Sequence, residues 1–271
     1  MLGEGMKTKS ALSYFGSDSE VAGQLAELLN DCTHVTIPFC GGMSILPYLT
    51  ARAVVANDLH GDVINFYKYV SGQHGVEYRD KLIDRCCYTL SHPQEIEDAQ
   101  AYLDSIFKIG TVDRAWAFWA MCWIGRKGKG GTKHQGGMPS IRRTGKGGTN
   151  ATRIRAAAND LYEWAEQFER CEFESVCFRE LLPKVADIPE CGVYMDPPWV
   201  GAGRNYKHPF TEQDHRDLAE LAKRFSAATV VVRYGDAPLI RELYHGWNFI
   251  QSESRDQCNV TKGEVWIVNT Q

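Results

Sequence analysis

Short apolar runs, each stopped by turn residues, alternate with helical periodicity towards both ends of this chain, and that alternation constrains the fold most. Thr33–Ile37 runs into Pro38-Phe39-Cys40-Gly41-Gly42, and Ala53–Ala56 is closed by Asn57-Asp58. Later runs at 173–178, 191–195, 228–233, 248–253 and 263–269 also read as strands. A helix is expected over about 18–30, where Ser17 and Glu20 form a capping box and Val21, Leu25, Leu28 and Leu29 line one face. Another is expected from Thr211, boxed by Asp214, to about Phe225. Strands and helices in alternation imply an α/β sheet.

The middle of the chain follows a different pattern. From about 61 to 124 it is helical, with Val63, Phe66, Tyr67 and Val70 on one stripe and Ile96, Leu103, Ile106 and Phe107 on another. Trp116, Trp119 and Trp123 crowd one helix at core spacing. Gly125–Arg155 then carries nine Lys or Arg and no Asp or Glu, a local +9 in a chain of net charge −4, leaving −13 elsewhere. Nine glycines between 125 and 148 make this a segment expected to be mobile until something anionic orders it. Beyond it, Asn150 is expected to cap a helix that turns Ile154, Leu161, Trp164 and Phe168 to one side.

Overall charge argues against a protein that coats nucleic acid or anionic membrane in bulk, so a polyanion must be met by a local patch. No run approaches the roughly 18 apolar residues of a membrane span, so no membrane partner is expected. The nine cysteines never form Cys-x-x-Cys and the eight histidines are scattered. That usage suits reduced, buried thiols in a cytoplasmic protein without a structural metal.

Two motifs carry chemistry. In the first, a strand, the Phe39-Cys40-Gly41-Gly42 turn and a second strand ending in Asp58 reproduce the order in which doubly wound sheets hold a nucleoside. There the glycine turn lies against the ligand and the acid accepts from the ribose hydroxyls. In the second, Tyr194-Met195-Asp196-Pro197-Pro198-Trp199, a strand stops at two prolines and an indole. A carboxylate and a rigidly held Pro197 carbonyl suit a group with two N–H donors, and an aromatic plane suits a flat heterocycle. An amino group on a base fits that description.

Together these motifs resemble the Dam-like DNA adenine methyltransferases, over nearly the whole chain. Ser13-Tyr14-Phe15-Gly16-Ser17 is similar to the family's N-terminal cofactor motif and Pro38–Gly42 to its glycine motif. Asn57–Phe66 resembles its ribose-binding motif, and Asp196-Pro197-Pro198-Trp199 its catalytic motif. The sequence departs from the family at Ile37, Asp18 and Cys177, and has Trp199 where tyrosine is commoner.

The resemblance implies a Rossmann-like S-adenosylmethionine-dependent methyltransferase sheet, formed by 1–66 and 170–271, with a helical, basic target-recognition insertion at 67–169. It implies cofactor contacts from Tyr14, Phe15, Gly16, Phe39, Cys40, Gly41, Asp58 and Phe178, and catalytic roles for Asp196, Pro197 and Trp199. Phosphate or base contacts to double-stranded DNA are expected from Arg126, Lys127, Arg142, Arg143, Lys146 and Arg153. The implied reaction moves a methyl group from S-adenosylmethionine to N6 of an adenine flipped out of its site, as in restriction-modification. The same chemistry suits a cytosine amine or an RNA adenine. A non-catalytic nucleic-acid-binding module is disfavoured by the intact Asp196 motif, and a dinucleotide-dependent oxidoreductase by the missing third glycine.

Overall fold

The computed structural model describes residues 10–14, 21–105, 110–125, 149–203, 206–255 and 261–269. These fall into two compact units: one of 18–40, 48–59 and 170–271, the other of 1–17, 41–47 and 60–169.

The first unit holds a seven-stranded sheet. Its strands are β1 (His34–Ile37), β2 (Ala53–Asn57), β3 (Cys171–Glu174), β4 (Cys191–Met195), β5 (Thr229–Gly235), β6 (Asn248–Arg255) and β7 (Thr261–Val268). They lie in the order β3-β2-β1-β4-β5-β7-β6. All neighbours are parallel except β7, which runs antiparallel to β5 and β6. The chain extends the sheet from β1 through β2 to β3, then returns to place β4 on the other side of β1. The carboxyl ends of β1 and β4 therefore adjoin at a topological switch point, where open α/β sheets bind ligands.

The strand runs read from the sequence reappear within a few residues. The main exception is 173–178, where β3 stops at Glu174 and Phe178 begins helix α8 (Phe178–Leu181). The Asn57 side chain takes over the backbone of Val176, accepting from its N–H at 2.9 Å and donating to its carbonyl at 3.0 Å, which ends the ladder. On one side of the sheet, Leu218, Ala219 and Ala222 of α9 (Glu212–Ala222) pack with Ile240 and Leu243 of α10 (Pro238–Leu243) against Val193, Val230, Val232 and Ile267. The expected capping box at Thr211 and Asp214 is formed. Helix α1 (Ala22–Glu27) is shorter than expected and its N-cap Val21 makes no side-chain cap, while Ser17 and Glu20 lie outside the described residues. A Cβ on Gly192 would come within 2.8 Å of Leu29 and 2.9 Å of Cys32, so the chain after α1 can approach β4 only because that strand lacks a side chain there.

The second unit is helical: α2 (Gly61–Val70), α3 (Val76–Tyr88), α4 (Pro93–Asp104), α5 (Val112–Ile124), α6 (Asn150–Asn159) and α7 (Leu161–Phe168). Helix α5 is buried at Val112 and at every residue from Ala115 to Ile124, as expected of a helix that is apolar all round. The Trp116 indole donates to Thr89 Oγ1 at 2.8 Å, and the Arg85 guanidinium lies 3.8 Å from its ring centroid. Thr149, not Asn150, caps α6, its hydroxyl accepting from the Thr152 N–H; Asn150 is the first helical residue. Ile106 and Phe107 lie outside the described residues.

Candidate active site

Asp196 follows β4 directly. Neither Pro197 nor Pro198 can donate to a ladder, so the strand must end there. Met195 pairs with Val232, and one residue further on Asp196 adjoins Arg233 of β5. The Arg233 Nη1 donates to Asp196 Oδ2 at 3.0 Å. The Trp199 indole N–H also donates to the Asp196 carboxylate. Although 22% of the Asp196 side chain is open, its surroundings are dry enough that burial pushes its pKa up, against the lowering pull of Arg233.

Arg233 is itself only 4% exposed and bidentate to Glu264, which is fully buried: Nε meets Oε1 at 2.9 Å and Nη2 meets Oε2 at 2.7 Å. The Trp266 indole donates to the same Oε1 at 2.6 Å. Strand register produces this group, because Arg233 lies opposite Trp266 and Glu264 is two residues away on the same face of β7. The Arg233 guanidinium is also 5.5 Å from the Trp199 ring centroid. Gly235, at the end of β5, closes the arrangement, since a Cβ there would lie 2.7 Å from Trp199 Cε3.

The sheet unit holds further candidates around the end of β1. Phe39, Phe178 and Phe210 have ring centroids 5.6–5.8 Å apart, an apolar cluster assembled from three separate segments. Asn57 donates to the Pro38 carbonyl at 2.9 Å, and the Cys40 N–H donates to the Asn57 carbonyl at 2.8 Å, which fixes the turn after β1. The Cys40 thiol is pushed well up, first by burial and then by the charge of Asp58. Asp58 is half-buried; its N–H donates to Glu174 and its carbonyl accepts from Ser175 Oγ at 2.9 Å. The Tyr206 phenol is pushed up by burial and then by the charges of Asp196 and Asp58.

In the helical unit, Gly41 adopts φ +43°, and a Cβ there would sit 3.0 Å from the Tyr14 ring. Tyr67 donates its hydroxyl to the Gly41 carbonyl. Of the residues expected at the cofactor, Phe15 and Gly16 lie outside the described residues. So do Arg126, Lys127, Arg142, Arg143 and Lys146 among those expected at DNA. Arg153 is described: it is exposed on α6, donates to the Trp123 carbonyl at 2.8 Å and lies 5.7 Å from the Trp123 ring. Among the described residues there is no cluster of His, Cys, Asp and Glu that could hold a metal, and no helix long and apolar enough to cross a membrane.

Sequence reasoning missed Arg233, Glu264, Tyr206 and Phe210. One signal was present: Arg233 interrupts the apolar run Thr229-Val230-Val231-Val232, and a charge in a central strand needs a buried partner.

A seven-stranded sheet with this order and one antiparallel strand, and an acidic Asp-Pro-Pro-aromatic motif at its switch point, is that of a Rossmann-like methyltransferase. Residues 14–257 match the family model of the D12 class N6 adenine-specific DNA methyltransferases, and the chain belongs to that family. It is therefore an enzyme that methylates N6 of adenine in DNA, with S-adenosylmethionine as methyl donor. A solved structure described as cofactor-bound Rv0187 from MTB is similar at 9% identity and a TM-score of 0.40, over 96% of this chain and 84% of that one. No curated protein matches.

Proposed function

We propose that Asp196, Pro197 and Trp199 carry the methyl transfer, and that the substrate is a flipped adenine of double-stranded DNA. The observation that supports this reading is the Asp196 carboxylate, partly open, at the carboxyl end of β4 with its orientation held by Arg233 and Trp199.

The residues present suit S-adenosylmethionine. The Gly41 conformation and its contact with Tyr14 leave no room for a side chain in the glycine turn. Phe39 and Phe178 offer an apolar surface for an adenine ring, and Asp58 a carboxylate acceptor for ribose hydroxyls. Cys40 would contribute through the wall of the turn, and Tyr14, Phe15, Gly16 and Gly41 keep the role their motifs imply. When bound, S-adenosylmethionine supplies a methyl group on a positively charged sulfur.

The adenine amine is a weak nucleophile because its lone pair is delocalised into the ring. Asp196 and the Pro197 carbonyl accept its two N–H donors and draw the nitrogen towards a pyramidal shape, which localises the lone pair. The amine that takes up the methyl group must shed one of its protons, which Asp196 would accept. Trp199 would hold the flipped ring by stacking. Positioning of this kind is worth about 7–11 kcal/mol in well-oriented reactions.

Residues 1–66 and 170–271 would hold cofactor and base, and 67–169 would recognise the target. Arg126, Lys127, Arg142, Arg143, Lys146 and Arg153 would meet phosphates or base edges, which a local +9 on a remainder of −13 supports. A cytoplasmic location accompanies a DNA substrate in this reading. The test is incubation with labelled S-adenosylmethionine and unmethylated duplex DNA, followed by nucleoside mass spectrometry. Label is expected in N6-methyl-2′-deoxyadenosine, and Asp196→Ala should lower the single-turnover rate by at least ~10²-fold. Label in a cytosine derivative, or a variant within about tenfold of the parent, overturns the reading.

A further inference from the structure

We propose that Arg233, anchored by Glu264 and Trp266, is a positioning residue that keeps the Asp196 carboxylate ionised, directs one of its oxygens towards the substrate amine and sets the plane of Trp199. This deepens the reading above and rests on Asp196 being the acceptor.

A guanidinium in a central strand needs compensation, because a buried charge without partners is strongly disfavoured. Arg233 finds it in Glu264, through two parallel N–H···O contacts of 2.9 and 2.7 Å. The Trp266 indole then fixes Oε1 of Glu264 at 2.6 Å. This pair uses Nε and Nη2, leaving Nη1 to reach Asp196 Oδ2 at 3.0 Å from a guanidinium that cannot swing away. A carboxylate held at one oxygen by a rigid donor presents its other oxygen in a fixed direction. The same guanidinium sits over Trp199, whose indole N–H returns to Asp196, so carboxylate, indole and guanidinium constrain one another.

The charge arithmetic matters as much as the geometry. Asp196 must be ionised to accept from an amine, and burial opposes ionisation. Arg233 favours the ionised form, while Glu264 on β7 opposes it more weakly. Tyr206, from the segment after β4, and Tyr234 of β5 also feel the Asp196 charge, and Tyr194 of β4 feels Arg233; burial pushes the Tyr206 and Tyr234 phenols up. With those phenols neutral, two carboxylates and one guanidinium leave the group one unit negative, a sign that suits a cationic methyl donor.

Without Arg233, Asp196 protonates more readily, so the acid limb of the rate profile moves to higher pH. Without the Glu264 charge it protonates less readily, so the limb moves to lower pH. A role confined to fold stability would lower active enzyme at every pH and leave the limb in place.

The experiment measures single-turnover methylation of unmethylated duplex DNA against pH, at saturating S-adenosylmethionine, for the parent, Arg233→Met, Arg233→Lys, Glu264→Gln and Asp196→Ala. Arg233→Met is expected to move the limb up by about one unit or more. Arg233→Lys should keep the limb within half that shift while lowering the plateau, because the charge remains and the fork does not. Should Arg233→Met not fold, Glu264→Gln carries the test, with a limb expected to move down. An unmoved limb in whichever variant folds, with Asp196→Ala inactive, overturns the positioning role alone. An active Asp196→Ala overturns the reading of the site on which it rests.

Discussion

At Asp196 two requirements pull against each other. The carboxylate must be dry enough to hold an amine, and dryness raises its pKa. A group whose folded pKa is raised stabilises the fold at low pH, and loses that contribution as pH rises through the folded pKa. At neutral pH the ionised Asp196 therefore costs stability. Asp196→Asn, whose amide oxygen can still accept from Arg233 and Trp199, is expected to be inactive yet at least as stable as the parent at pH 7. The difference in Tm should narrow as pH falls, and a Tm that drops at pH 7 would contradict this. Gly235 offers a second test at the same scale. A methyl group there would meet Trp199 at 2.7 Å, so Gly235→Ala must displace the indole. Methylation is expected to fall by about 10–10²-fold with an unchanged circular dichroism spectrum, and an unaltered rate would show that Trp199 is not held against β5.

Elements depend on pairs that join distant stretches of chain. Asp62 in the first turn of α2 meets Arg114 on α5, with Arg114 Nη2 at 3.1 Å from Oδ2. Arg114 Nη1 also donates to the Leu103 carbonyl at 2.8 Å, serving the orphan acceptors at the end of α4. The two side chains are 9% and 11% exposed, so removing one partner leaves the other charge nearly buried. Asp62→Asn is expected to cost about 3–5 kcal/mol, read as a lower Tm of the helical unit by calorimetry. A Tm close to that of the parent would show that the pair is dispensable. Asp62 also exposes the limit of motif reading, because it lies inside the stretch that resembles a ribose-binding motif and is spent on helix packing. Strands β1, β2, β4 and β5 and the Thr211 cap were legible, since alternation, prolines and capping boxes are local signals. The Arg233–Glu264 pair was not, because it depends on β7 running antiparallel beside β5, and no local pattern states which strands are neighbours. Phe178 failed as a strand residue for the same reason: Asn57, far away in sequence, decides where β3 ends.

For the whole molecule the strongest sequence signal is charge, and it concentrates where the sheet chemistry does not. The described candidates for catalysis, Asp196, Pro197 and Trp199, and Arg233 beside them, belong to the unit with the sheet, whereas Arg153 belongs to the helical unit and the other basic candidates fall in the segment that precedes it. The +9 of residues 125–155 sits on a remainder of −13, so duplex DNA meeting other surfaces faces net repulsion, and affinity should run through this stretch. Each phosphate neutralised on a duplex releases condensed counterions, with a logarithmic salt slope near −0.9 per contact. Replacing Arg142, Arg143 and Lys146 together by alanine is therefore expected to weaken DNA binding and to make the slope shallower by up to about 2.7. S-adenosylmethionine affinity, measured by calorimetry without DNA, should stay at the parental value, because the cofactor motifs lie elsewhere in the chain. Arg153→Ala is expected to make the slope shallower by up to about 0.9. Its guanidinium already donates to the Trp123 carbonyl, so a drop in Tm with little change in the salt slope would mark it as a packing residue. A triple variant that keeps both affinity and slope would move the DNA-binding surface to the helices between 61 and 124.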